Sequence, residues 1–217
     1  MASVHSKILL VEGDEDKRVI PELIEANGIH WGKSPKEAVV FIKSCNGVEN
    51  LLDKKQINTE LKASDLQILG IIVDADESPR ARWQRVRQCL IENFPGVPSE
   101  LPDTGLIASN TDGIKVGVWM MPDNKERGML ETFLHFLLPE NSQNLWLYAE
   151  DALNYVTESG APYKAAHRDK AKIHTWLAWQ NPPGRQLHNA LTEKILNPQS
   201  EYSVPFMTWF RELFEIE

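Results

Sequence analysis

Along the first two thirds of the chain, short apolar runs alternate with stretches whose apolar residues recur at helical spacing. The pattern predicts β-α-β units and a mainly parallel sheet. Lys7–Val11 reads as a buried strand, and Val19, Ile20, Leu23 and Ile24 follow at the spacing of one helix face, with Gly28 placed to end that helix. Pro21 has to sit in the first turn or kink the helix, because it lacks an N–H and crowds the preceding turn. A second strand is expected over residues 39–42, then a turn at Asn46-Gly47 and another helical stretch. Residues 68–73 form the clearest strand. After its acidic end, Ser78 suits an N-cap and Pro79 the first helical position, with Trp83, Val86, Leu90 and Ile91 as the buried stripe. A further strand over 116–121 runs into the loop PDNKERG, and a helix is expected over 129–138.

Beyond Pro139 the strand signal fades. Helical patterns follow at 143–158, 163–179, 185–196 and 204–214, with a firm break at Asn181-Pro182-Pro183-Gly184. The expectation is an α/β core over residues 1–139 and a helical C-terminal appendage, 140–217, packed on it. No internal repeat or low-complexity segment interrupts this plan.

The 217 residues suit one domain of ordinary to large size, able to bury a core without covalent staples. Cys45 and Cys89 match no metal-ligand or redox spacing and read as free thiols of a reducing cytoplasm. The N-terminal segment lacks the apolar h-region of a leader, and no stretch approaches the roughly 20 apolar residues that span a bilayer. A soluble cytoplasmic protein with no membrane partner is therefore expected. The net charge of −8 counts against a general nucleic-acid coat, which would present a basic field to phosphates. It is compatible with an enzyme whose carboxylates gather around a divalent cation while a local basic patch meets the phosphate.

The acidic residues sharpen that reading. In a parallel sheet, ligands bind beyond the carboxyl ends of the strands. Glu12 follows the first strand, and Asp74 and Asp76 end the third. The twofold repeat of an extended chain points both aspartates to one side. Three converging carboxylates would raise one another's pKa, and a bound divalent cation resolves the repulsion. Ligands that are all oxygen favour Mg²⁺ or Mn²⁺.

VEGDED at 11–16 and VDAD at 73–76, in that order at the ends of predicted strands, resemble the Toprim domain shared by topoisomerases, bacterial primases and the overcoming-lysogenization-defect (OLD) nucleases. The resemblance covers about residues 7–138 and implies a Toprim-like, mainly parallel sheet flanked by helices. It implies Glu12 as general acid or base and metal ligand, Gly13 as the tight strand-to-helix turn, and Asp74 and Asp76 as metal ligands. Asp16 would cap the first helix. The OLD-like branch further implies acidic residues for a second metal after the last core strand, where Asp123 and Glu131 match. Their plainer readings are a Pro-Asp-Asn turn and the polar face of a helix.

The run KAAHRDKAKIH, with Lys164, Arg168, Lys170 and Lys172, is either a solvated helix face or a phosphate-contacting patch. In the second case Lys170 or Lys172 neutralises charge on the phosphate. Trp176 and Trp179 read as core anchors rather than base-stacking platforms. The expected function is Mg-dependent, nuclease-type hydrolysis of a phosphodiester in DNA or RNA, with one ion activating water and a second stabilising the leaving oxygen. Topoisomerase action needs a positioned tyrosine and a strand-gating scaffold, and primase action a zinc ribbon or a large polymerising region. Two alternatives remain: a Toprim fold used only for binding, as regulatory partner of an ATPase, and a receiver-like phosphoacceptor domain. ILLVEGDED resembles the start of response-regulator receivers, but Gly13 separates the acids that receivers keep adjacent, and Met120-Met121-Pro122 lacks their lysine.

Overall fold

A computed structural model describes residues 5–34 and 36–216; residues 1–4, part of the N-terminal segment read for a leader, lie outside them. In chain order the core elements are β1 (Lys7–Val11), α1 (Asp14–Ala26), β2 (Phe41–Ser44), α2 (Val48–Leu51), α3 (Lys54–Leu61), β3 (Ile68–Asp74), α4 (Pro79–Leu90), β4 (Leu106–Ser109), β5 (Lys115–Met121) and α5 (Leu130–His135). The helices α6 (Gln143–Glu158), α7 (Arg168–Ala178), α8 (Leu187–Thr192) and α9 (Val204–Phe214) follow. The sheet order is β2-β1-β3-β5-β4, with the first four strands parallel and β4 antiparallel at the edge. The fold is thus an α/β sheet, mostly parallel and flanked by helices, as the alternation of patterns predicts.

Strand alternation divides the core into two layers. Ile8, Leu10, Leu69, Ile71, Val73, Val116 and Val118 face α2, α3 and α4, where Trp83, Val86 and Leu90 close one cluster. Leu9, Val11, Ile72, Trp119 and Met121 face the other way, onto α1, α5 and the C-terminal helices, in one continuous cluster that includes Trp176, Leu187 and Phe210. On this second face Gly70 and Gly117 are paired across β3 and β5. A Cβ at Gly70 would stand 2.7 Å from Phe214 Cζ, and one at Gly117 would overlap Leu213, so the missing side chains let α9 lie directly on the sheet.

Several expectations shift. The strand expected at 39–42 is Phe41–Ser44, because its register with Ile8–Val11 begins at Phe41. Pro21 lies in the second turn of α1, since the helix already starts at Asp14. The edge strand β4 was not expected, and the helix expected at 163–179 begins only at Arg168, after a short 3-10 turn. Trp176 is a core anchor, but Trp179 is 45% exposed and is not. Both cysteines are buried free thiols, and no described helix is long and apolar enough to cross a membrane.

Candidate functional site

The parallel strands β1 and β3 are neighbours, so their carboxyl ends deliver Glu12 and Asp74 to one place. The Asp74 backbone N–H donates to Glu12 Oε1 at 2.8 Å. Gly13, in extended conformation, caps α1, and its N–H donates to the carboxylate of Asp16 at 3.0 Å, the capping role expected of that residue. Asp74 Oδ1 accepts from the N–H of Leu130, the first residue of α5, at 3.0 Å. Glu131, next in that helix, is only 3% exposed and pairs with Lys170 Nζ of α7 at 2.8 Å; the same ammonium lies 3.4 Å from Glu15.

These carboxylates act on each other. Burial raises the Asp74 pKa well above the usual carboxylate range, and the charges of Asp16, Glu12, Glu131 and Asp76 push it further. Burial, reinforced by Glu12 and Glu131, lifts Asp16 to about 7 despite the Gly13 N–H. Burial also raises Glu12, with the Asp74 N–H and the Arg82 charge pulling the other way. For Lys170 burial opposes the charge, but the hydrogen bond to Glu131 and the charges of Glu131 and Glu15 outweigh it and the pKa rises.

The other candidates have partners of their own. Asp76 leaves the extended conformation, with φ 51°, and its backbone pairs with Gly128 through two 2.9 Å hydrogen bonds. Its carboxylate meets the guanidinium of Arg82 on α4, a residue only 7% exposed. Asp74 is thus bound by α5 and Asp76 by α4, while the Asp76 charge still acts on Asp74 and Glu12. Asp123 accepts from the N–H groups of Lys125 and Glu126 with one oxygen and closes its own turn. Lys172 pairs with Glu150 and sits over the Trp146 ring, 4.3 Å from its centroid. Arg168 is likewise taken by Glu150.

Residues 6–215 match the family described as Protein of unknown function (DUF3226). The chain belongs to this family. No curated protein and no solved structure matches it.

In this DUF3226 chain the donors are carboxylate oxygens, the kind a hard divalent cation takes, and burial raises the pKa of Glu12, Asp16 and Asp74. Among the described residues no three such side chains stand in a ready-made metal-holding group. Asp76 and Glu131 are paired with cations, whereas Glu12, Asp16 and Asp74 accept hydrogen bonds from backbone N–H groups.

Sequence reasoning missed three features of the DUF3226 site. Arg82 faces Asp76 six residues on, and Thr132 takes the Met129 N–H and donates to Asp169 of α7. Beside them opens a cleft of about 530 Å³, lined by Asp76, Arg127, Met129, Thr132, Arg168 and Asp169 among others. Only the local spacing Asp76 to Arg82, across a capped helix start, was there to be noticed.

Proposed function

We propose that the acidic sheet edge binds Mg²⁺ or Mn²⁺ and hydrolyses a phosphodiester of DNA or RNA, in a Toprim-like core related to the OLD-like nucleases. One observation carries the reading: Glu12 and Asp74 meet at the carboxyl ends of adjacent parallel strands, 2.8 Å from carboxylate to backbone, with both pKa values raised. The bound ion would supply Lewis-acid stabilisation of charge on the phosphate. Glu12, its pKa raised by burial, exchanges a proton with the attacking water or the leaving oxygen. Asp74, steadied by the Leu130 N–H, would hold the ion. Lys170, paired with Glu131 and Glu15, would offer charge to the phosphate on releasing one of them, whereas Lys172 is engaged by Glu150 and Trp146. Two buried free thiols fit a reducing cytoplasm.

A second reading, a Toprim module that binds an ATPase or nucleic acid without cutting, is favoured by the Arg82–Asp76 pair, which already neutralises one of the two aspartates. Single-turnover cleavage of labelled DNA and RNA with Mg²⁺ separates the two. Glu12→Gln should retain substrate binding and cut about 10²- to 10⁴-fold more slowly than wild type. Equal rates overturn the catalytic assignment, and binding without cutting by the wild type favours the second reading.

A further inference from the structure

We propose that the outer face of α6 is a dimerisation surface, on which a second copy of the chain lays its own α6 antiparallel. This goes beyond the metal-dependent reading and stands without it.

α6 buries Trp146, Ala149 and Leu153 against the core. On its other side Tyr148 and Tyr155 are 65% and 71% exposed, with Leu147 and Val156 exposed beside them. The two tyrosines are seven residues apart, so at about 100° per residue their side chains leave the helix within about 20° of each other. Among the described residues neither ring nor hydroxyl of this pair has a partner. The Tyr163 hydroxyl, by contrast, meets Thr157, and the Tyr202 ring lies 5.8 Å from that of Phe136. Aligned, unpartnered tyrosines are the kind of residue that protein interfaces concentrate.

Shape, charge and area select a second copy as the occupant. The stripe nearly superposes on its own reverse, because Ala152 stands four residues after Tyr148 and three before Tyr155. In an antiparallel pair Tyr148 therefore meets Tyr155 of the second copy, and the small Ala152 of each lies at the crossing, where it lets the helices approach. Residues 143–149 carry no charge, whereas Glu150, Asp151 and Glu158 make the second half of α6 acidic. Antiparallel pairing lays that acidic half along the neutral half of the other helix and toward its positive dipole end; parallel pairing sets like charges side by side. The exposed parts of the four apolar side chains come to roughly 450 Å² on each copy, or about 900 Å² in a pair. With the flanking polar residues this approaches the low end of specific interfaces, about 1,200 Å², which suits a dimer that forms reversibly. A nucleic-acid strand fits the face poorly, since α6 holds no lysine or arginine to meet its phosphates.

Sedimentation velocity of the intact chain from about 1 to about 500 μM should show a monomer–dimer equilibrium with a micromolar Kd. Tyr148→Ser and Tyr155→Ser should each weaken it at least about tenfold, because a twofold pair loses every contact twice, with the melting transition of the monomer unchanged. Disulfide trapping reads the direction of pairing. A chain carrying Tyr148→Cys should cross-link to one carrying Tyr155→Cys faster than either does to its own kind, since like positions stand about 10.5 Å apart along an antiparallel pair. A monomer at every concentration, a dimer that both serine variants leave intact, or cross-links between like positions alone would each overturn the proposal. Loss of the melting transition in the serine variants overturns it as well, by placing the tyrosines in the fold of the single chain. So does a chain that stays monomeric and binds another protein or a nucleic acid through these tyrosines, which assigns the face to a different partner.

Discussion

Replacing Asp16 with asparagine should remove part of the loss of stability that the wild-type protein suffers as pH rises through the weakly acidic range. Asp16 has an ordinary pKa of 3.8 and a folded value of about 7, raised by burial and by the charges of Glu12 and Glu131. Below pH 3.8 both folded and unfolded states hold the proton, and the residue has no effect. Between about pH 4 and pH 7 the unfolded state releases it while the folded state keeps it, so stability falls with rising pH and then levels off. Raising the carboxyl from 3.8 to about 7 corresponds to a loss on the order of 4 kcal/mol, a large share of the roughly 5–15 kcal/mol that holds a typical domain together. The amide of the Asp16→Asn variant retains an oxygen for the Gly13 N–H and has no proton to lose. Urea unfolding from about pH 4 to pH 8 with a chelator present should therefore show the variant gaining on wild type as pH rises. Adding Mn²⁺ at about pH 8 should return much of the lost stability to wild type. Parallel pH profiles for the two proteins would refute both the buried charge and its role in the acidic cluster.

Two other substitutions test the packing around this site. Gly117→Ala should cost about 1–3 kcal/mol in chemical denaturation through overpacking against Leu213, and a neutral outcome would mean that α9 is not seated on the sheet as described. Lys172→Ala should lower stability by roughly 1 kcal/mol through loss of the Glu150 and Trp146 contacts and leave cleavage unchanged, whereas a large fall in single-turnover rate would return Lys172 to the catalytic set.

The strand ends were legible because apolar runs mark them: Lys7–Val11 and the run from Ile68 are compact enough to fix where Glu12 and Asp74 emerge. β4 was not, since LIAS is four residues long, only partly buried and at an edge, with too little alternation to stand out. The backbone turn at Asp76 was not legible because alternation holds only while the backbone stays extended, and an aspartate tolerates a left-handed φ more readily than most residues without requiring it. The pairings of Lys170 with Glu15 and of Asp169 with Thr132 cross 155 and 37 residues, distances over which local periodicity carries no information. The basic run was visible, but which of its members turns inward depends on the helix start at Arg168 rather than on its charge.

The glycine pair under α9 also bears on the order in which the chain can fold. The central strands are complete once Met121 is made, but the helix that fits the Gly70–Gly117 groove ends at Phe214, roughly ninety residues later. At about 5–20 residues per second, ribosomal synthesis leaves that apolar face of the sheet uncovered for roughly 5–20 s. During that interval the part of the face around Gly70 and Gly117, which α9 covers in the finished fold, is open to chaperones or to another nascent chain. A sheet kept open by two absent side chains gains close packing at the end of synthesis and is exposed to aggregation before it.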